Sequence, residues 1–573
     1  MTEIASLRPL AAVLASALVI VPILASRGRP NLRESWTFLA AVTKLGIVAS
    51  MVPGVLAGDV YVTDFGTFVP GVRFALRADP LGVLFALLAS LLWLVTSFYS
   101  VGYMRGLDEH AQTRYFAAFA GSLASAIGIA FAANLVVIFV FYELLTVATY
   151  PLVTHDETDE ARAAGRKYLA YTFGGGVAVL AGTVLVFWLT GSGTTAFAAG
   201  GIDGLSGADP VLARAAFGLL AAGFGVKAAL MPLHSWLPDA MVAPTPVSGL
   251  LHAVAVVKSG VFGIARVVLD VFGPDLVAEL GVGTALAAVA AFTLVAASVI
   301  ALRQDNLKRR LAYSTVSQLS YIVLGLAVLH PTALLGGLLH IPAHAFMKLT
   351  LFFCAGAIHV ETHTDDISEM AGIGKRMPLT MGAFTVAAAG MAGIPLVAGF
   401  VSKLFLLVGT VTAGDVVFTA ALLVSGVLNI AYFWPIVYTA FFESQGESDD
   451  KPLLEGPFGG RFAALSSPDK SGKAVTDGGE RGGDRGDDHA THAEDSHENH
   501  DDHGESDHDD HDHHGHGGPW ERRAPTGAES TWFMLGPICF AALGSIALGV
   551  VPDAAVFLDV VRLVVENVTG VVV

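Results

Sequence analysis

Runs of about 18–25 mostly apolar residues recur along nearly the whole chain, and each is long enough to cross a bilayer core of about 30 Å. They predict fourteen membrane spans, at roughly 8–26, 36–56, 80–104, 114–132, 134–154, 166–190, 211–231, 246–272, 282–302, 311–329, 332–360, 379–412, 415–442 and 531–551. The expected fold class is therefore all-α, a polytopic membrane protein. After the last span, Asp559, Arg562 and Glu566 recur at helical spacing on one side, so residues 552–573 read as an interfacial helix. The first span, 10–26, lacks a basic leader and is followed by further spans, so it is expected to stay in the protein.

Composition sharpens this picture. The 573 residues are 54% hydrophobic with a mean hydropathy of +0.62, outside the range of a soluble domain. The two cysteines, Cys354 and Cys539, both lie in apolar runs, which excludes a cysteine-ligated iron–sulfur cluster and argues against a disulfide framework. No cofactor motif is present, and no nucleic-acid partner is expected. The net charge of −17 is concentrated in one place. Residues 443–530 hold 23 acidic and 8 basic residues, while the rest of the chain is nearly neutral.

That segment is low-complexity, carries ten histidines between His489 and His516, and has almost no large apolar residues. It cannot bury a core and is expected to be a disordered insertion. His511, His513, His514 and His516 are its candidate metal ligands, set against the plainer reading of a solvated acidic segment. Loops after odd-numbered spans hold fourteen basic residues, from Arg27 to Arg376, and the opposite loops hold Arg8, Arg73, Arg77 and Arg214. Basic residues favour the cytoplasmic side. Both termini are thus expected outside and 443–530 in the cytoplasm.

Charges inside the spans carry the functional signal. Glu143 is the one carboxylate deep in a span, and Lys227, Lys258, Lys348 and Lys403 lie in equally apolar surroundings. Each such charge costs about 2.5–3.5 kcal/mol at mid-membrane, so five would cost roughly 12–17 kcal/mol if they faced lipid. They must face one another or water. Snorkelling to the interface is the plain account of a lone lysine, but it fails for Lys258 and Lys403, which are flanked on both sides by apolar residues. For Glu143 the plain account is a salt bridge to Lys227.

His340, His344 and Lys348 step by four residues, and His359 follows eleven later, which puts all four in an arc of about 100° on one helix face. The stripe fits either a proton wire with intervening water or a polar packing seam between helices. Two spans are also interrupted, the seventh at "MPLHSWLP" just after Lys227 and the twelfth at "GMAGIPLVAG" just before Lys403. Gly/Pro-broken helices in matching places of two halves point to an ion site at a repeat interface, with freed carbonyls beside each lysine.

"MPLHSWLPDAMVAPTPVSGLLHAVAVVKSGVFGIAR", "NLKRRLAYSTVSQLSY", "HAFMKLTLFFCAGAI" and "GIPLVAGFVSKLFLL" closely resemble the antiporter-like proton-translocating subunits. That family includes large membrane subunits of respiratory complex I, membrane-bound hydrogenases and Mrp-type sodium/proton antiporters. The resemblance covers about residues 75–445 and implies two inverted five-helix repeats, spans 4–8 (114–272) and 9–13 (282–442). Residues 1–113 would then be N-terminal helices and 531–573 the last span and tail. By the same resemblance Glu143 matches the fifth-span glutamate, Lys227 the seventh-span lysine, Lys258 the eighth-span lysine and Lys403 the twelfth-span lysine, which some members replace with glutamate. His252, His344 and Lys348 match the family's central polar axis. The short stretch after span fourteen and the lysine at 403 make the D-type subunit of the Mrp antiporters, or its hydrogenase equivalent, the nearest resemblance. The implied function is proton translocation in a plasma-membrane Na⁺/H⁺ antiporter with other integral membrane subunits as partners. A redox-driven proton pump and a stand-alone channel or bicarbonate-accumulating subunit are the competing readings.

Overall fold

The computed structural model describes residues 1–191, 193–443, 529–554 and 556–573. The expected disordered insertion at 443–530, with His511, His513, His514 and His516, lies almost wholly outside the described residues.

The described chain is predominantly helical, and every predicted span is a helix or an interrupted helix. Ten helices among the described residues are long and apolar enough to cross a membrane: α1 Arg8–Ala25, α2 Pro30–Leu56, α3 Pro80–Gly106, α5 Leu135–Val153, α6 Asp159–Leu189, α7 Pro210–Lys227, α9 Val282–Ala301, α11 Pro331–Thr362, α13 Val416–Phe442 and α14 Trp532–Val550. The other four predicted spans are α4 Gln112–Ala130, α8 over 245–271, α10 Leu307–Ala327, and α12 with its two arms Pro378–Ala392 and Ala398–Thr412. Outward-facing Val177, Trp188, Phe292, Val417 and Val427 give the apolar rim that lipid requires, while α8 and α11 are almost wholly enclosed. The protein is a polytopic membrane protein.

The packing repeats. In one set α4 packs on α5 and α6 on α7; in the other α9 packs on α10 and α11 on the second arm of α12. Each set has five helices, and an odd number of crossings starts the second set on the opposite face. The two sets thus pack in the same helix order from opposite faces, as the inverted repeats implied by the resemblance would.

The loops knit into two layers. On one face Arg114 pairs with Glu157, Lys167 with Asp239 at 2.6 Å, and the Leu307 N–H donates to the Asp365 carbonyl at 2.9 Å. On the other, the Leu135 N–H donates to Thr195 O and the Ala198 N–H to Asp270 O, each at 3.1 Å. This second face also carries a sheet that the span pattern does not predict. Its strands are β1 Thr2–Ala5, β2 Asp59–Val69 and β3 Val72–Ala78, with β1 parallel and β3 antiparallel to β2. The tail helix α15, Val556–Thr569, is amphipathic as expected, but it buries Val560, Val561, Val564 and Val565 against this chain's own helices.

Both expected breaks are present. The first arm of α7 ends at Lys227, and the chain turns before a second short arm, Trp236–Asp239. Trp236 Nε1 donates to Val226 O at 2.9 Å, which fastens the two arms together. In α12 the first arm ends at Gly393, whose φ of +89° suits a residue without Cβ. A third irregularity carries no Gly/Pro signature: α8 widens into π-turns at Leu250–Val254 and Val267–Val271.

Candidate functional site

The axis begins on α5. Asn134 caps this helix, its side-chain oxygen accepting from Val136 and Val137 N–H, and so fixes the frame in which Glu143 sits nine residues on. The Glu143 carboxylate lies over Gly176 of α6, where a Cβ would collide with it. Both of its oxygens are enclosed and have no hydrogen-bond partner among the described residues. The plainer reading, a salt bridge to Lys227, does not hold among the described residues. Lys227 Nζ instead donates to the Tyr142 carbonyl at 2.6 Å and lies 3.4 Å from the Tyr142 ring centroid. The reason is the break: α7 ends at Lys227, so the ammonium is aimed at the backbone of α5 and not along the face that carries Glu143.

The centre is built by α8 and α11. Lys258 Nζ and His344 Nδ1 are 2.8 Å apart, and both groups are fully buried. The His344 ring lies 6.1 Å from that of His340 between centroids. His340 Nδ1 meets Ser402 Oγ at 2.8 Å and its Nε2 meets Gln318 Oε1 at 2.9 Å. His252, in the first π-turn of α8, packs on Phe352 with ring centroids 4.8 Å apart. Its two ring nitrogens have no hydrogen-bond partner among the described residues.

The second half runs from Lys348 to Lys403 through neutral polar groups. Lys348 Nζ donates to Leu311 O at 3.1 Å and to Ser314 Oγ at 2.9 Å. Ser314 Oγ shares a 3.1 Å bond with the Tyr432 hydroxyl, which donates to Asn429 Oδ1 at 2.6 Å. Asn429 Nδ2 donates to Met391 O at 3.2 Å, and Lys403 Nζ donates to that same carbonyl. Met391 is in the last turn of the first arm of α12, where carbonyls lack helical partners, so the freed-carbonyl expectation holds here. It does not hold at Lys227. Lys403 also lies 4.6 Å from the Tyr321 ring centroid, as Lys227 lies over Tyr142.

All eight predicted axis residues, Glu143, Lys227, His252, Lys258, His340, His344, Lys348 and Lys403, lie in the protein interior or at its edge. His359 does not join them: it bonds Asp365 at 3.1 Å at the partly exposed end of α11. Sequence reasoning passed over Gln318, Ser314, Asn429 and Tyr432. It also passed over Lys44 of α2, fully buried with Nζ 4.2 Å from the Trp93 ring centroid, although a lysine inside an apolar run was the same signal. Arg266 was quoted in its motif but not singled out. It grips Asp79 through two bonds of 2.7 Å and Asp270 through one of 2.8 Å.

Comparison with known proteins identifies the family. Residues 132–429 match the family described as NADH:quinone oxidoreductase/Mrp antiporter, TM. NADH-quinone oxidoreductase subunit N of Desulforudis audaxviator is 33% identical over 463 residues, which is 79% of this chain and 91% of that one. Hydrogenase-4 component B of Escherichia coli is 34% identical over 394 residues, 63% of this chain but only 56% of that one. In fold, a chain in the structure of the Mrp complex from Dietzia sp. DQ12-45-1b superposes with a TM-score of 0.76, at 22% identity and 98% coverage of both chains. This chain belongs to the NADH:quinone oxidoreductase/Mrp antiporter transmembrane family, as one of its antiporter-like membrane subunits.

Proposed function

We propose that this chain is the proton-translocating subunit of a multi-subunit plasma-membrane antiporter that exchanges H⁺ for Na⁺, with both termini outside. The observation that carries the proposal is the set of titratable side chains placed between α5 and α12: Lys227, His252, Lys258, His344, His340 and Lys348 are fully buried, and Glu143 and Lys403 are half-buried. At its centre, a hydrogen bond between an amine and an imidazole nitrogen can hold a proton on either side. Two positive rings 6.1 Å apart repel by about 3 kcal/mol at an effective dielectric near 20, so a proton arriving on one favours release from the next. The path requires water across the remaining gaps. The Ser314–Tyr432–Asn429 bridge links Lys348 to Lys403 and supplies the exit half of the path.

A second reading, a proton-pumping subunit of a complex I-like or hydrogenase-type redox complex, is favoured by the match over 91% of the Desulforudis audaxviator relative. One experiment separates the two. The native assembly is purified, its subunits are identified, and proteoliposomes are given either a Na⁺ pulse or an electron donor. The proposal expects Na⁺-driven proton movement by the assembly and none by this chain alone. Proton movement driven only by the electron donor would overturn the antiporter reading in favour of the redox one.

A further inference from the structure

Away from the axis, two loops on the face of the Arg114–Glu157 pair bring three metal-ligating side chains together. Glu109 and His110 lie between α3 and α4, and His155 lies two residues past the end of α5. One ligand atom from each falls within 4.8 Å of the others. His155 Nε2 is 3.7 Å from Glu109 Oε2, and His110 Nδ1 is 3.8 Å from the same oxygen. Bonds of about 2.0–2.2 Å set tetrahedral ligand atoms about 3.4 Å apart, so small side-chain shifts would close this set around one ion.

The independent observation is His155. Its side chain is fully buried, yet neither ring nitrogen has a hydrogen-bond partner among the described residues. A buried imidazole left in that state is destabilising, and a ligand aimed at its nitrogen removes the penalty. Packing of His155 on Tyr115 and His110 fills space but satisfies neither nitrogen. The surroundings suit a cation. Asp156 adds a further carboxyl next to His155 in the chain. The loops are firmly placed: Arg114 donates to the His155 carbonyl at 3.0 Å, and Gln112 Nε2 donates to Glu109 O at 3.0 Å.

We propose that Glu109, His110 and His155 form a binding site for a Zn²⁺-class divalent cation, with water completing the coordination. Two imidazoles and one carboxylate match the donor preference of Zn²⁺, Co²⁺ and Ni²⁺ over Mg²⁺ or Ca²⁺. The ion would fasten the α3–α4 loop to the end of α5, the helix that carries Glu143.

The test is Zn²⁺ content of the full chain in its native assembly, after equilibration with Zn²⁺ and removal of loosely held ion. His110→Ala and Glu109→Gln are compared with the parent, since both side chains reach solvent and their loss spares the core. Every protein keeps the histidines of 443–530, so only the difference counts. We expect each variant to retain one Zn²⁺ per chain fewer than the parent, with an unchanged melting temperature in metal-free buffer. Equal Zn²⁺ content in parent and both variants would overturn the site.

Discussion

Lys227 and Lys403 occupy matching positions in the two inverted sets, each beside a helix break and each against a tyrosine ring, Tyr142 or Tyr321. Each ammonium is thus held by one carbonyl and one aromatic face, with no carboxylate hydrogen-bonded to it among the described residues. Such a site holds a proton without locking it in place. At position 403 a glutamate can also titrate, an arginine holds its proton far too tightly, and an alanine cannot titrate at all. The expected order of proton uptake is therefore lysine highest, Lys403→Glu partial, and Lys403→Arg and Lys403→Ala near zero, at equal protein level in vesicles. Arginine transporting like lysine would show that fixed charge is what matters there. Lys258 and Lys403 were legible in the sequence because apolar residues on both sides exclude snorkelling, and Glu143 because it is the one carboxylate deep in a predicted span. Asn429 and Ser314 were not, because a short neutral polar side chain in a membrane helix can bond its own backbone at little cost, as Thr96 and Ser97 do here; Tyr432 was not, because a tyrosine in an apolar run reads as core or interface. The geometry at Glu143 was also hidden, since helix ends are the least certain part of a sequence reading.

The interrupted elements do different work. The break in α12 leaves Met391 O to receive both Lys403 and Asn429, while the break in α7 turns Lys227 onto the backbone of α5. These breaks were legible through Gly and Pro. The π-turn that carries His252 was not, since a widened turn has no residue signature of its own. On α13, Asn429 joins Tyr321, Tyr432 and Met391 O, so its replacement cuts the bridge between Lys348 and Lys403 while sparing both lysines. Asn429→Leu is expected to lower proton uptake about tenfold or more, the effect of roughly 1.4 kcal/mol on the limiting barrier. It should also cost about 1–3 kcal/mol of stability from the orphaned Tyr432 and carbonyl groups. Uptake equal to the parent at equal protein level would remove Asn429 from the path.

For the molecule as a whole, hydropathy located the spans, and the two knitted loop layers follow from their alternation. The small sheet on one face was missed because the strands between α2 and α3 fell outside the helical periodicity being read. Across the other face, Glu529 joins α14 to α12: its carboxylate accepts Leu379 and Thr380 N–H at 3.1 Å each. Burial pushes its pKa up to about 7, from an ordinary value of 4.5. The folded state thus binds this proton more tightly than the unfolded state, so the contribution to stability is full below 4.5 and is lost as pH rises through about 7. The parent's melting temperature should fall across that window more steeply than that of Glu529→Gln. Parallel curves would show that Glu529 titrates normally.

The central claim is that protons cross through the buried amine–imidazole axis, and Lys258 is its middle member. Lys258→Met keeps the side-chain length and burial and removes the titratable group. The most direct measurement is the initial rate of proton uptake by proteoliposomes holding the native assembly, followed with an enclosed pH-sensitive dye, for the parent and Lys258→Met at equal assembly. The account predicts that the variant falls below about one tenth of the parent rate, since a gap in a buried relay adds at least ~1.4 kcal/mol to the barrier. A variant rate within about twofold of the parent, less than ~0.5 kcal/mol, would contradict it.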